Sequence, residues 1–320
     1  MSTMRAVVMD APGAPEVLRV AEVPRPTRAS AEFIVKVCAA GVNPIDAKTR
    51  AGRGVSGAIS SWPSILGNDF SGVVGESPYD AHPIKVGDEV YGMSMVPRLP
   101  GTYAEFAAVP AMSIARKPKA LSHVEAAGVP LAALTAWGAV VDVARAREGQ
   151  RVLVHAGAGG VGHFAIQFAS FFGAHVVATG STRNLEWMRE LGANEVIDHT
   201  QTRFEDDMDP VDTVIDLIGN TVDDVGTRSL QVLKPGGLIV NLPSGSWPTL
   251  ADDAASAGVR ASGFSVSPDG TTLAVISRLI DSGDIRVFVD QVFDLADAAA
   301  AHAALEGGHT RGKIVLRVAD

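Results

Sequence analysis

The segment 151–172, RVLVHAGAGGVGHFAIQFASFF, constrains the fold more than any other stretch of the chain. Arg151–His155 is a short apolar run suited to a buried strand. Gly157, Gly159 and Gly162 follow at G-x-G-x-x-G spacing, and Val161, Phe164, Ala165, Phe168 and Phe172 then recur at helical intervals. Strand, glycine turn and helix in that order are the context a dinucleotide fingerprint requires. Gly157 permits a tight turn and Gly159 lets the backbone approach a pyrophosphate. Gly162 lets the helix pack near the strand, so that N–H groups at the helix start face the phosphates. A plain glycine turn is the alternative.

The flanking sequence sets this segment in an α/β unit. Strand candidates at Arg151–His155, His175–Thr179, Glu195–Asp198, Val211–Leu217, Gly237–Leu242 and Val259–Phe264 alternate with helix candidates at His163–Phe172, Asn184–Leu191, Thr221–Leu233 and Thr271–Asp281. That alternation predicts a parallel sheet with helices on both faces. Lys234-Pro235-Gly236-Gly237 marks a stop and turn before the fifth strand, and Glu205-Asp206-Asp207 is expected as a solvated loop.

Residues 1–125 have a different pattern. Strand-like runs at Met4–Met9, Phe33–Ala39, Ser71–Val74, Glu89–Gly92 and Tyr103–Val109 are separated by turn-rich pieces such as APGAP and PRPTRAS, a β-rich unit without long helices. The stretch 51–63, AGRGVSGAISSWP, has the composition of a lid or binding loop, or of a disordered one. From Ser122 the period changes to one or two buried helices, opened by the capping pair Ser122 and Glu125. The tail from Ile285 places two further strands around an Ala-rich helix and is expected to return to the first unit.

The chain has 320 residues, enough for about two domains. Its formal charge of −9 argues against a nucleic-acid partner or an anionic membrane surface. Cys38 is the only cysteine, so an internal disulfide and a cysteine-rich zinc lobe are excluded; in IVKVCAA it reads as a small core residue. No secretory signal is evident in MSTMRAVVMD, and no apolar run approaches the about 18 residues a membrane span needs. A cytoplasmic enzyme is expected.

An NAD site usually carries Asp or Glu about twenty residues after the glycines. Here the second strand ends at Thr179-Gly180 and runs into Ser181-Thr182-Arg183, with no acid at that place. Two hydroxyls and a guanidinium suit a 2′-phosphate, which predicts NADP(H). The alternative is that Ser181 only starts the next helix.

Several segments together resemble the medium-chain dehydrogenase/reductase superfamily, in its zinc-independent quinone oxidoreductase and enone reductase branch. They are AGVNPID (40–46), LGNDFSGVV (66–74), VGDEV (86–90), LTAW (134–137), HAGAGGVG (155–162), LGA (191–193) and GKIVL (312–316), collinear over nearly the whole length. The resemblance implies a Rossmann-type parallel six-stranded cofactor domain, residues 126–282, and a β-rich GroES-like catalytic domain built from residues 1–125 and 283–320. It also implies a homodimer joined at cofactor-domain edge strands, with 259–266 as the candidate edge.

The zinc-dependent alcohol dehydrogenase branch has a cysteine where Asn43 stands and Gly-His-Glu where Gly67-Asn68-Asp69 stands. Asn43 and Asn68 cannot replace thiolate and imidazole, so no metal is expected. Without a Lewis acid the substrate must itself be an electrophile, such as a quinone or an α,β-unsaturated carbonyl compound. Lys48 resembles the lysine that follows Asn-Pro-x-Asp in plant-type enone reductases, which implies an electrostatic or proton-donating role; a surface lysine is the plainer reading. Asn43 is implied at the nicotinamide ribose or the substrate and Thr135 on the nicotinamide side, each with loop ordering or helix capping as the alternative. The resemblance assigns Gly159, Gly160 and Val161 to the pyrophosphate and Ser181 and Arg183 to the adenosine phosphate. His199 falls in the adenosine pocket, and Leu217, Leu242, Pro243, Phe264 and Ser265 near the nicotinamide half. His155, His163 and Tyr103 are expected to be structural. A non-catalytic NADPH-binding protein and a zinc-free enoyl-thioester reductase are the competing readings.

Overall fold

The computed structural model describes residues 2–95 and 101–319. The chain divides into two compact units, Met1–Leu134 with Ser267–Asp320, and Thr135–Val266.

The first unit begins with β1 (Thr3–Met9), β2 (Arg19–Pro24), β3 (Glu32–Val42), helix α1 (Pro44–Arg50), β4 (Ser64–Ile65), β5 (Asp69–Glu76), β6 (Glu89–Met93), β7 (Phe106–Pro110) and β8 (Ile114–Arg116). Helix α2 (His123–Ala127) and helix α3 (Pro130–Trp137) follow. The box at α2 forms as the sequence predicts: Glu125 N–H donates to Ser122 Oγ and Ser122 N–H to the Glu125 carboxylate. Strands β1, β2 and β4 make one small sheet, and β3, β5, β6, β7 and β8 belong to a larger one. Their inward faces bury Phe33, Val35, Phe70, Val90 and Tyr103 in one core.

The second unit holds β9 (Arg151–Val154), α4 (Gly162–Phe171), β10 (His175–Gly180), α5 (Leu185–Glu190), β11 (Glu195–Asp198), β12 (Val211–Asp216), α6 (Val225–Ser229), β13 (Leu233–Asn241), α7 (Leu250–Ser256) and β14 (Arg260–Gly263). The six strands are parallel in the order β11-β10-β9-β12-β13-β14. Strand order reverses between β9 and β12, the topological switch point of a doubly wound sheet. Leu153, Val177, Val214, Ile239 and Trp247 lie in its core.

The chain then returns to the first unit with α8 (Gly270–Asp281), β15 (Val289–Asp294), α9 (Ala298–Glu306) and β16 (Lys313–Arg317). β16 pairs antiparallel with β3, setting Ile314 opposite Val42. This adjacency brings the end of the sequence to residue 43.

Three differences from the sequence reading have physical causes. The unit boundaries fall at 134/135 and 266/267, against the expected 125/126 and 282/283; the second lies earlier because α8 packs in the first unit. Tyr91 Oη donates to Leu273 O, and Ser277 Oγ to Arg116 O. The helix expected over 221–233 is cut to α6 and one 3₁₀ turn, since Asp223 and Asp224 are both left-handed (φ 48° and 45°). The acidic run is not simply solvated: Glu205 binds Arg203 and Arg228 through ion pairs of 2.8 and 2.6 Å. Arg228, foremost, pulls the Glu205 carboxyl down to about 2.

Candidate functional site

In unit 2 the cofactor-assigned positions gather along one edge of the sheet. Gly157, Gly159, Gly160 and Val161 follow β9, Ser181 and Arg183 follow β10, and His199 follows β11. Leu217, Leu242, and Phe264 with Ser265 follow β12, β13 and β14. All these strands are parallel, so every one of these residues stands at a carboxyl end, where open α/β sheets take their ligands.

The glycine turn fits a pyrophosphate. Gly157 and Gly162 are buried, whereas Gly159, Gly160 and Val161 are half-buried. A Cβ on Gly162 would lie 2.2 Å from Ala156 O and 2.8 Å from Gly157 Cα, so any side chain there would drive α4 off the turn. No side chain caps α4; Val161 holds the cap position. Of its first-turn N–H groups, that of His163 donates to Gly159 O at 3.1 Å, while those of Gly162 and Phe164 have no backbone partner among the described residues and are donors of the kind a phosphate satisfies.

At the β10 corner the structure amends the sequence reading. Ser181 stands at the start of the 3₁₀ turn Thr182–Asn184 without a side-chain cap bond; its Oγ accepts from Asn184 Nδ2 at 3.2 Å and keeps its own proton to donate. Thr182 Oγ donates to Asp198 at the tip of β11, and Thr200 N–H and Oγ occupy the other carboxylate oxygen. Of the two hydroxyls expected for a 2′-phosphate, only that of Ser181 is left. Thr182, then Thr200, hold the Asp198 carboxyl below its ordinary value. Arg183 and His199 are exposed beside this corner. Asp198 lies outside the expected acid position because it ends the third strand, not the second.

On the nicotinamide side of the reading, the Phe264 ring is packed over Gly138, where a Cβ would meet Phe264 Cζ at 2.0 Å. Thr135, on α3, is buried. Gly138–Val143 continues from α3 as a π-helical segment, a geometry that recurs at functional sites.

Unit 1 contains a buried ionisable cluster around Asn43. Asn43 is 1% exposed and opens α1, with its N–H donating to Asp46 Oδ2 at 2.9 Å. Its Nδ2 donates to Asp69 Oδ2 at 2.9 Å, and Lys313 Nζ donates to its Oδ1 and to Val42 O. The β16–β3 register explains this last pair, since it sets Ile314 opposite Val42, next to Lys313 and Asn43. Asp69 Oδ1 also accepts from Leu131 N–H at 2.8 Å. Asp46 accepts from Asn68 Nδ2 at 2.7 Å and from Tyr103 Oη at 3.2 Å, and His302 Nε2 lies 3.2 Å from the same phenol oxygen.

Burial sets the electrostatics of this cluster. It pushes Asp46 up to about 7 and Asp69 up to about 6, against the lowering pull of their hydrogen bonds and of Lys313. Burial also depresses Lys313, opposed by Asp69 and Asp46, and takes His302 down to about 4. Transferring such charges out of water is costly unless they are paired and hydrogen-bonded.

The expected catalytic residues fare differently. Asn43 is a helix-start residue whose amide is partly committed, with one Nδ2 hydrogen bound to Asp69 and one left over. Lys48 lies in the last turn of α1, half-buried, and its ammonium has no hydrogen-bond or ion-pair partner among the described residues. Asp46, Asp69, His302 and Lys313 were not singled out as site residues from sequence. A charged residue inside the apolar run KIVLRV was the available signal for Lys313. Among the described residues no group of three or more His, Cys, Asp and Glu side chains is arranged to hold a metal ion, and no helix is long and apolar enough to cross a membrane.

A doubly wound parallel sheet with a glycine turn at its open end, joined to a β-rich unit closed by both chain termini, defines a two-domain dehydrogenase. Residues 29–119 match the family "Alcohol dehydrogenase GroES-like domain" and residues 191–316 the family "Zinc-binding dehydrogenase". The chain is 33% identical to the "NAD(P)H oxidoreductase RTN4IP1, mitochondrial" of Danio rerio, over 90% of this chain and 84% of that protein. It is 36% identical to the "NADPH-dependent alkenal/one oxidoreductase, chloroplastic" of Arabidopsis thaliana, over 89% of this chain and 72% of that protein. The quinone oxidoreductase of Coxiella burnetii superposes with a TM-score of 0.93 at 38% identity, covering 99% of this chain and all of that one. The chain belongs to the quinone oxidoreductase and enone reductase branch of the medium-chain dehydrogenase/reductase superfamily. It is an oxidoreductase that uses a nicotinamide cofactor on a small-molecule substrate.

Proposed function

We propose that the chain is an NADPH-dependent, zinc-independent reductase of quinones or α,β-unsaturated carbonyl compounds. The observation that carries the reading is the accessible turn Gly159–Val161 at the open end of the sheet, with Ser181 and Arg183 at the neighbouring corner and no carboxylate directly after β10. Gly159, Gly160, Val161 and the start of α4 hold the pyrophosphate, and Ser181 and Arg183 the 2′-phosphate. His199 borders the adenosine, while Thr135, Leu217, Leu242, Phe264 and Ser265 border the nicotinamide half. The bound nicotinamide supplies a hydride.

The chain's own task is then to bind the acceptor and answer the negative charge that grows on its carbonyl oxygen. The Lys48 ammonium, unpaired among the described residues, is the group assigned to that charge or to the proton that follows. The remaining amide hydrogen of Asn43 is assigned to the nicotinamide ribose or the substrate. Asn43 and Asn68, where zinc-dependent relatives have ligands, donate to carboxylates instead. With the Lys313 ammonium on Asn43 Oδ1, that position already has its positive charge. The reading places the protein in the cytoplasm as a homodimer paired through β14, an edge strand of its sheet.

NADPH oxidation against a panel of quinones, enones, enoyl-thioesters and saturated ketones, with and without a chelator, tests the reading. Turnover of quinones or enones unaffected by chelation is expected. Chelator-sensitive turnover of simple alcohols and ketones, or no oxidation with any acceptor, contradicts it.

A further inference from the structure

His155 follows β9 directly before the glycine turn, is 1% exposed, and has no task in the reading above. One assignment of protons satisfies all of its hydrogen bonds together. Ser229 Oγ donates its single proton to Val225 O at 2.7 Å, so toward His155 Nε2, 2.8 Å away, it is an acceptor. Nε2 therefore carries the ring proton. Nδ1 of the neutral ring is then an acceptor, and Thr179 Oγ donates to it at 3.1 Å. Thr179 Oγ in turn accepts the Ala156 N–H at 3.3 Å. Burial holds the ring below its ordinary pKa, in its neutral form.

The far end of this relay is the first residue of the turn. Ala156 is left-handed (φ 47°), a conformation in which an L-residue is strained and a glycine is not. Its carbonyl accepts the Gly159 N–H at 2.9 Å, and it sits where a Cβ on Gly162 would be 2.2 Å away. Ala156 is thus the floor on which both Gly159 and the start of α4 rest. The relay ties that floor to β10 through Thr179 and to α6 through Ser229.

We propose that His155 is a positioning residue for the cofactor, holding Ala156 in its left-handed conformation through Thr179 and so setting the pyrophosphate turn. The proposal rests on the reading that this turn takes the NADPH pyrophosphate.

The test compares NADPH binding by calorimetry and steady-state kinetics in the full-length protein, His155→Phe and Thr179→Val. Phe retains an aromatic ring beside Phe204, whose ring lies edge-on at 4.7 Å; Val removes only the hydroxyl. Losing one such hydrogen bond raises Kd and KM for NADPH about fivefold to tenfold. KM for the quinone and kcat at saturating NADPH stay within twofold, and the double variant is no weaker than His155→Phe. Adding Ala156→Gly to either variant recovers most of the lost affinity, because glycine needs no help to adopt φ 47°. A merely structural histidine predicts no such recovery. Should His155→Phe not fold, Thr179→Val with and without Ala156→Gly carries the test alone. Variants that bind NADPH as tightly as the parent protein, a loss confined to kcat, or no recovery with glycine overturn the proposal. A parent protein that binds no NADPH overturns instead the functional reading beneath it.

Discussion

The two candidate regions hold their shape by opposite means. At the open end of the unit 2 sheet the work is done by uncharged groups: glycines where a Cβ has no room, orphan backbone N–H groups, and a histidine kept neutral. In unit 1 the corresponding positions are buried ionisable side chains, with Asp46, Asp69 and Lys313 all within 3% of full burial. The first arrangement depends on steric fit and is largely indifferent to pH. The second depends on a balance of desolvation against pairing, so removing one partner exposes the full cost of the others.

The largest expected effect follows from that imbalance. Lys313→Met leaves Asp69 and the Asn43 carbonyl without their cation, and should cost about 4 kcal/mol of stability at pH 8 by denaturant unfolding. The loss should shrink toward pH 5, where Asp69 takes up a proton. A variant as stable as the parent would erase the contrast between the regions. Next is Gly162→Ala, whose methyl would stand 2.2 Å from a backbone oxygen; overpacking of about 3 kcal/mol predicts a roughly hundredfold loss of NADPH affinity. Unchanged binding would show that the turn can yield.

Lys48→Met should lower kcat/KM for enones about a hundredfold by removing an electrostatic or acid group. Its Kd for NADPH should not move, and a fall in cofactor affinity alone would take Lys48 away from the substrate. The pH contrast is sharpened by Asp46→Asn. The Asp46 pKa is raised in the folded state, so its contribution to stability is complete below about pH 4 and disappears as pH rises through about 7. From pH 5 to 8 the parent should therefore lose roughly 2 kcal/mol relative to the Asn variant. Parallel stability curves would mean Asp46 is not held protonated.

How far each region is legible in sequence follows from the same contrast. The glycine turn is a local pattern, since Gly157, Gly159 and Gly162 sit within six residues and the strand and helix they need lie on either side. The six strands of unit 2 are short apolar runs punctuated by turns and were legible for the same reason. β2 was not, because its side chains are mostly exposed and its apolar signal is weak. α8 is legible as a helix but not in its packing, since its contacts with Tyr91 and Arg116 come from 161 or more residues away. The Asn43 cluster draws on residues 43, 46, 68, 69, 103, 302 and 313; only the Asn43–Asp46 capping box is local, and strand register and helix packing bring in the rest. No local spacing announces the cluster beyond that box. At the β10 corner the sequence shows two hydroxyls and a guanidinium, and only the geometry shows that Thr182 is spent on Asp198.

The central claim is that a phosphorylated nicotinamide cofactor sits at the carboxyl edge of the unit 2 sheet, and calorimetric titration of NADPH and NADH into the parent protein and Arg183→Ala tests it most directly. The account predicts tighter binding of NADPH by the parent and a preference reduced roughly tenfold in the variant through loss of one charged phosphate contact, with NADH affinity unchanged. Equal affinity for the two cofactors in the parent, or a preference that survives the substitution intact, would contradict it.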